Sequence, residues 1–114
     1  MASEEDVEKL LSDYQTLQEQ LRSYAALLDQ LQSQKDDIAR AKEEVNSSTG
    51  KIYLSVGGIM VETTKDKATS DLNSRAEMTE LRISTTTKQY NELKAKEKQI
   101  SDKIIQLYKA QGAQ

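Results

Sequence analysis

Polar and apolar positions divide the chain into two long stretches of one rhythm around a short stretch of another. In the first, apolar residues recur in steps of three and four: Val7, Leu10, Tyr14, Leu17, Leu21, Tyr24, Leu28, Leu31, Lys35, Ile38, Lys42 and Val45. This is a heptad register in which only the two lysines are polar, and it predicts a long helix with one apolar stripe. Ser3 is its candidate N-cap, and Glu4, Glu5 and Asp6 occupy the first turn, where the helix dipole favours negative charge. The register fades at Asn46-Ser47-Ser48-Thr49-Gly50, which reads as a stop and a loop. About 40 helical residues at ~1.5 Å each make a rod of roughly 60 Å.

The rhythm returns after Thr64, a candidate N-cap. A second seam runs Leu72, Ala76, Thr79, Ile83, Thr86, Tyr90, Leu93, Glu97, Ile100, Ile104 and Leu107. It weakens at Ser84-Thr85-Thr86-Thr87, poor helix formers that read as a tolerated polar patch or as a flexible waist. Proline is absent from the chain, which suits long uninterrupted helices.

Between the two lies a stretch of period two. Gly57-Gly58 separates the apolar runs Ile52 to Val56 and Ile59 to Val61, the signal of a hairpin with a two-residue turn. That turn sets Val56 opposite Ile59, Ser55 opposite Met60, Leu54 opposite Val61 and Tyr53 opposite Glu62. One face then carries Ile52, Leu54, Val56, Ile59 and Val61, and the other Tyr53, Ser55, Met60 and Glu62. The expected architecture is mainly α: one domain over 1–114, with a helix over 1–46, a hairpin over 51–63 and a helix over 64–111. The helices are expected to fold back on each other as an antiparallel coiled coil. Charge favours that orientation, because residues 1–20 are acidic and residues 94–109 basic.

A lone two-stranded hairpin is marginal in water, and this one has an apolar face and two open edges. Two thin helices cannot cover all of it. The pattern therefore predicts oligomerisation through Ile52, Leu54, Val56, Gly57, Gly58, Ile59 and Val61, with hairpins of several chains closing a shared β-barrel. The competing arrangement lays the hairpin back on its own helices.

Composition removes most chemistry. The 114 residues include no His and no Cys. The commonest general base, the thiol nucleophile and most zinc sites are thus missing, and no catalytic, cofactor or metal site is expected. Ser48-Thr49-Gly50-Lys51 looks like the end of a phosphate-binding loop but lacks its first glycine and precedes a strand. A net charge of −3 argues against nonspecific binding to nucleic acid or anionic lipid. No apolar run approaches the ~20 residues of a membrane span, and the acidic start does not read as a signal peptide. The expectation is a soluble cytoplasmic protein, with no nucleic acid and no membrane among its partners.

Where the two termini meet, apolar residues exceed the seam: Leu11 beside Leu10, Ile105 beside Ile104 and Tyr108 beside Leu107, near Val7 and Tyr14. They form either a plain coiled-coil end or a contact surface for exposed apolar segments of other proteins.

The hairpin Ile52-Tyr53-Leu54-Ser55-Val56-Gly57-Gly58-Ile59-Met60-Val61, followed by Lys65-Asp66-Lys67-Ala68 and Ser74-Arg75-Ala76-Glu77-Met78, resembles a beta-class prefoldin subunit. Members carry a Tyr-x-x-Val-Gly hairpin, and one hairpin rather than two points to the beta class over the alpha class. Gly58 stands where many members have proline, and Ala76 and Met78 replace larger or aromatic residues. The resemblance implies a heterohexamer of two alpha and four beta subunits, its hairpins building a double β-barrel with six coiled-coil arms. It further implies ATP-independent capture of non-native proteins at the arm tips and their transfer to a group II chaperonin. Carried onto this chain, Ile52, Leu54, Val56, Ile59 and Val61 become barrel core. Val7, Leu10, Leu11, Tyr14, Ile104, Ile105, Leu107 and Tyr108 become the client-contact candidates, some of which serve only to hold the arm together. The alternative is a structural coiled-coil hairpin acting as an oligomeric tether or spacer. A spacer needs only a short polar turn, which this chain does not have.

Overall fold

In the computed structural model, which describes residues 3–112, the element order is α1 (Glu4–Ser47), β1 (Ile52–Val56), β2 (Ile59–Thr63) and α2 (Lys65–Gly112). Both helices start on the expected caps. Asp6 N donates to Ser3 Oγ and Ser3 N to Asp6 Oδ2, each at 3.2 Å, a reciprocal capping box with aspartate in the place of the usual glutamate. Lys67 N donates to Thr64 Oγ1 at 3.2 Å at the start of α2. The last turn of α1 holds no basic residue of its own. Lys65 supplies the cation instead, its Nζ donating to the Asn46 carbonyl at 2.8 Å.

The strands form a two-stranded antiparallel sheet with the predicted register, from Ile52 opposite Thr63 to Val56 opposite Ile59. Gly57 and Gly58 take φ of 55° and 85°. Positive φ at both central residues defines the turn that matches the twist of a hairpin, and a side chain at either position would be strained.

The chain divides into two compact units. One comprises the residues up to Leu28 with those from Thr85 onward. In it, Leu10 and Leu107 line one groove and Tyr24 and Leu93 another, so α1 runs antiparallel to α2. The other unit spans Asp29–Ser84. Here Ile38 shares a groove with Thr79, and Lys35 Nζ lies 3.5 Å from Glu80 Oε1, again antiparallel.

Burial follows the heptad seams. Leu17, Leu21, Leu31 and Ala68 are buried, and every other α1 seam position from Val7 to Val45 is half-buried. Thr79 and Thr86 are buried on α2, which stays helical through the threonine run. Thr79 Oγ1 donates to the Arg75 carbonyl at 2.8 Å, a bond that lets a polar side chain occupy the seam. Lys35 also fits, because its stem covers the seam while its ammonium reaches Glu80. Asp6 and Asp13 share a groove with Lys103, but the acidic and basic segments form no direct pair among the described residues. Among the described residues the helix-to-helix ion pair is Lys35–Glu80. Exposed pairs gain little over solvated charges and cost side-chain entropy, so the charge pattern acts at longer range.

Leu31 is only 4% exposed. Leu31→Ala is expected to cost about 2–5 kcal/mol, read as a lower midpoint in denaturant, because a thin seam cannot close over the missing volume. A midpoint unchanged from the wild type would mean that the seam is not the core.

Candidate functional site

Both surfaces singled out by the sequence remain incompletely covered after each unit has packed its seam. The first is the hairpin. Ile52 and Leu54 are half-buried on β1, as is Thr63 opposite Ile52. Beyond them the expected apolar face stands open: Val56 is 54% exposed, Ile59 67% and Val61 49%. The turn glycines Gly57 and Gly58 have open space where a Cβ would point. The opposite face, with Tyr53 and Met60, is exposed as well. The ribbon therefore does not fold back on its own helices, and both outer strand edges are unpaired among the described residues. A ribbon with one open apolar face and free N–H and C=O groups along two edges is a template for strand addition.

The second surface lies near the ends of the chain. The seam members Val7, Leu10, Tyr14, Ile104 and Leu107 are half-buried between α1 and α2, which gives them a packing role. Leu11, Ile105 and Tyr108 point away from the seam and are exposed. A groove in the same unit, lined by none of these three, has Leu10, Leu107 and Ala110 along its apolar part and Asp6, Asp13, Lys9 and Lys103 on its walls. Of the eight residues, five are thus half-buried and three exposed.

No group of three or more metal-ligating side chains occurs among the described residues. Lys51 lines an open groove between the end of α1 and the start of α2, followed directly by a strand rather than by a helix. No helix among the described residues is long and apolar enough to cross a membrane.

Sequence patterning did not single out Met78 and Leu81, which are 59% and 68% exposed on α2. They sit off the seam while Ala76 and Thr79 occupy it. The available signal was this inversion of size, with bulky side chains outside and small ones inside.

The fold and the open ribbon define a class of coiled-coil hairpin subunits, and comparison with known proteins identifies it. The family model described as prefoldin subunit matches residues 8–111. The prefoldin subunit beta of Caldivirga maquilingensis is 31% identical over 101 residues, 86% of this chain and 84% of that one. The prefoldin subunit beta of Pyrococcus horikoshii is 29% identical over 100 residues, 86% of each. The crystal structure of the prefoldin beta subunit from Thermococcus strain KS-1 superposes with a TM-score of 0.79 at 28% identity, covering 86% of this chain and 88% of that one. The chain belongs to the prefoldin family, in its beta-subunit class. It is thus a chaperone subunit.

Proposed function

We propose that this chain is one subunit of a heterohexameric, ATP-independent holdase, assembled through its hairpin with alpha-class subunits and further beta-class copies. Its coiled-coil tip captures non-native proteins, which pass to a group II chaperonin in the cytoplasm. The observation that carries the reading is the ribbon, whose apolar face from Val56 to Val61 is about half exposed or more in the single chain.

The mechanism follows from burial. Fully covering a Val or Ile side chain stabilises by about 1.5–3 kcal/mol, so hairpins that close a barrel around Ile52, Leu54, Val56, Ile59 and Val61 gain enough to order a ribbon that is marginal alone. Pairing the strand edges with neighbouring hairpins satisfies the open backbone groups at the same time. At the tip, Leu11, Ile105 and Tyr108 offer small apolar contacts without a shaped pocket. Each arm alone binds a client weakly, and several arms on one base raise the effective concentration to the millimolar range, which adds about 10²–10⁴ in avidity. Binding of this kind is tolerant of client sequence and needs no nucleotide. A tether or spacer has no use for an apolar ribbon face, so the ribbon favours the chaperone reading.

Val56→Asp places a charge in the barrel core. It is expected to leave a helical protein of lower mass in light scattering, and an oligomer of unchanged mass would remove the barrel from the account. The tip is tested separately with Leu11→Ser, Ile105→Ser and Tyr108→Ser combined. Exposed positions cost little stability when changed. Assembly should therefore persist while suppression of client aggregation falls severalfold; full suppression would place client binding elsewhere.

A further inference from the structure

Two exposed apolar patches in the unit Asp29–Ser84 are left over once the barrel face of the hairpin is assigned. The first is on the other face of the ribbon. Tyr53 pairs with Glu62 and Ser55 with Met60, so Tyr53 and Met60 are diagonal neighbours, ~7–8 Å apart by strand geometry, with Glu62 beside them. Tyr53 is 51% exposed and Met60 64%, and Glu62 has no ion-pair partner among the described residues. The second patch is on α2, where Met78 and Leu81 lie one helical turn apart and Arg82 follows on the next position. Arg75, on the same flank, is engaged by Asp71, with Nε 2.9 Å from Oδ2, whereas Arg82 has no ion-pair partner among the described residues.

The two patches match. Each holds two large apolar side chains and one unpaired charge, and the charges are opposite. Both remain exposed in the single chain, so they do not cover each other within it. The α2 segment is also inverted in size, with Ala76 and Thr79 on its seam and the longer Met78 and Leu81 outside. Bulk placed outward on a helix with a thin inner seam is accounted for by a second packing partner on that side.

We infer that the Tyr53–Met60 face of one subunit's ribbon docks on the Met78–Leu81 flank of α2 in a neighbouring copy of this chain, with Glu62 of one facing Arg82 of the other. The contact is heterologous: two different patches meet, and repetition of such a contact closes a ring when the rotation allows. It serves as a lateral brace beside the barrel and orders neighbouring copies, because it forms only between a ribbon and an adjacent α2. The inference rests on the hairpin-built assembly proposed above.

The chain has no cysteine, so each introduced cysteine is the only one on its subunit. Met60→Cys and Leu81→Cys subunits, each made separately, are mixed in equal amounts and assembled with an alpha-class partner. They are then treated with a short bismaleimide. The expected result is a dominant band joining one Met60→Cys chain to one Leu81→Cys chain, with little product from either variant alone. Charge exchange gives the second reading. Glu62→Arg and Arg82→Glu are each expected to lower the midpoint of complex dissociation by salt, and a chain carrying both to restore it. A complex of full mass with no mixed cross-link and no restoration overturns the brace while leaving the barrel intact. Failure of the wild type to assemble overturns the barrel and the brace together.

Discussion

The ribbon from Ile52 to Thr63 sets the terms for everything else in this molecule. Its backbone is well determined: two glycines at positive φ fix the turn, the turn fixes the register, and the register puts five apolar residues on one face. Yet two strands joined by a tight turn bury too little to be stable alone. Within the ribbon only Ile52, Leu54 and Thr63 are even half-buried. From Ser55 to Glu62 every residue is exposed. The missing stabilisation has to come from outside the chain, and in a beta-class prefoldin subunit other subunits are the natural source.

The helices follow a more local logic. Each seam is narrow: α1 buries Leu17, Leu21 and Leu31, and α2 buries Ala68, Thr79 and Thr86. Thr79 and Thr86 are tolerated because they are compact and, at Thr79, hydrogen-bonded within the helix. A narrow seam leaves most of each helix surface in water, which suits a protein that meets others along its flanks. It also explains why side chains just off the seam, such as Leu11, Ile105 and Tyr108 in one unit and Met78 and Leu81 in the other, are available for contact.

Much of this was legible in the residue pattern. Every heptad position in α1 becomes buried or half-buried, because a two-helix coil has only one way to hide a 3.5-residue stripe. The hairpin register was readable for a similar reason, since a Gly-Gly turn admits one pairing that keeps the apolar face together. The site was legible only in part. Adjacency to the seam marked Leu11, Ile105 and Tyr108, but the same reasoning grouped them with Val7, Leu10, Tyr14, Ile104 and Leu107. Only burial separates the packing residues from the exposed ones. Met78 and Leu81 escaped the pattern altogether, because a periodicity argument looks for where apolar residues agree with the stripe and passes over those that oppose it. The acidic and basic ends pointed to the correct antiparallel orientation without forming the ion pairs that the charge count suggested.

The central claim is that the ribbon owes its order to other subunits rather than to its own chain. Amide hydrogen exchange across Ile52–Val56 and Ile59–Thr63, followed in the dilute single chain and in the complex with an alpha-class partner, measures this directly. The account predicts fast exchange along the ribbon in the single chain, with the helices still protected, and strong protection in the complex. Full protection of the ribbon in a demonstrably single chain would contradict it.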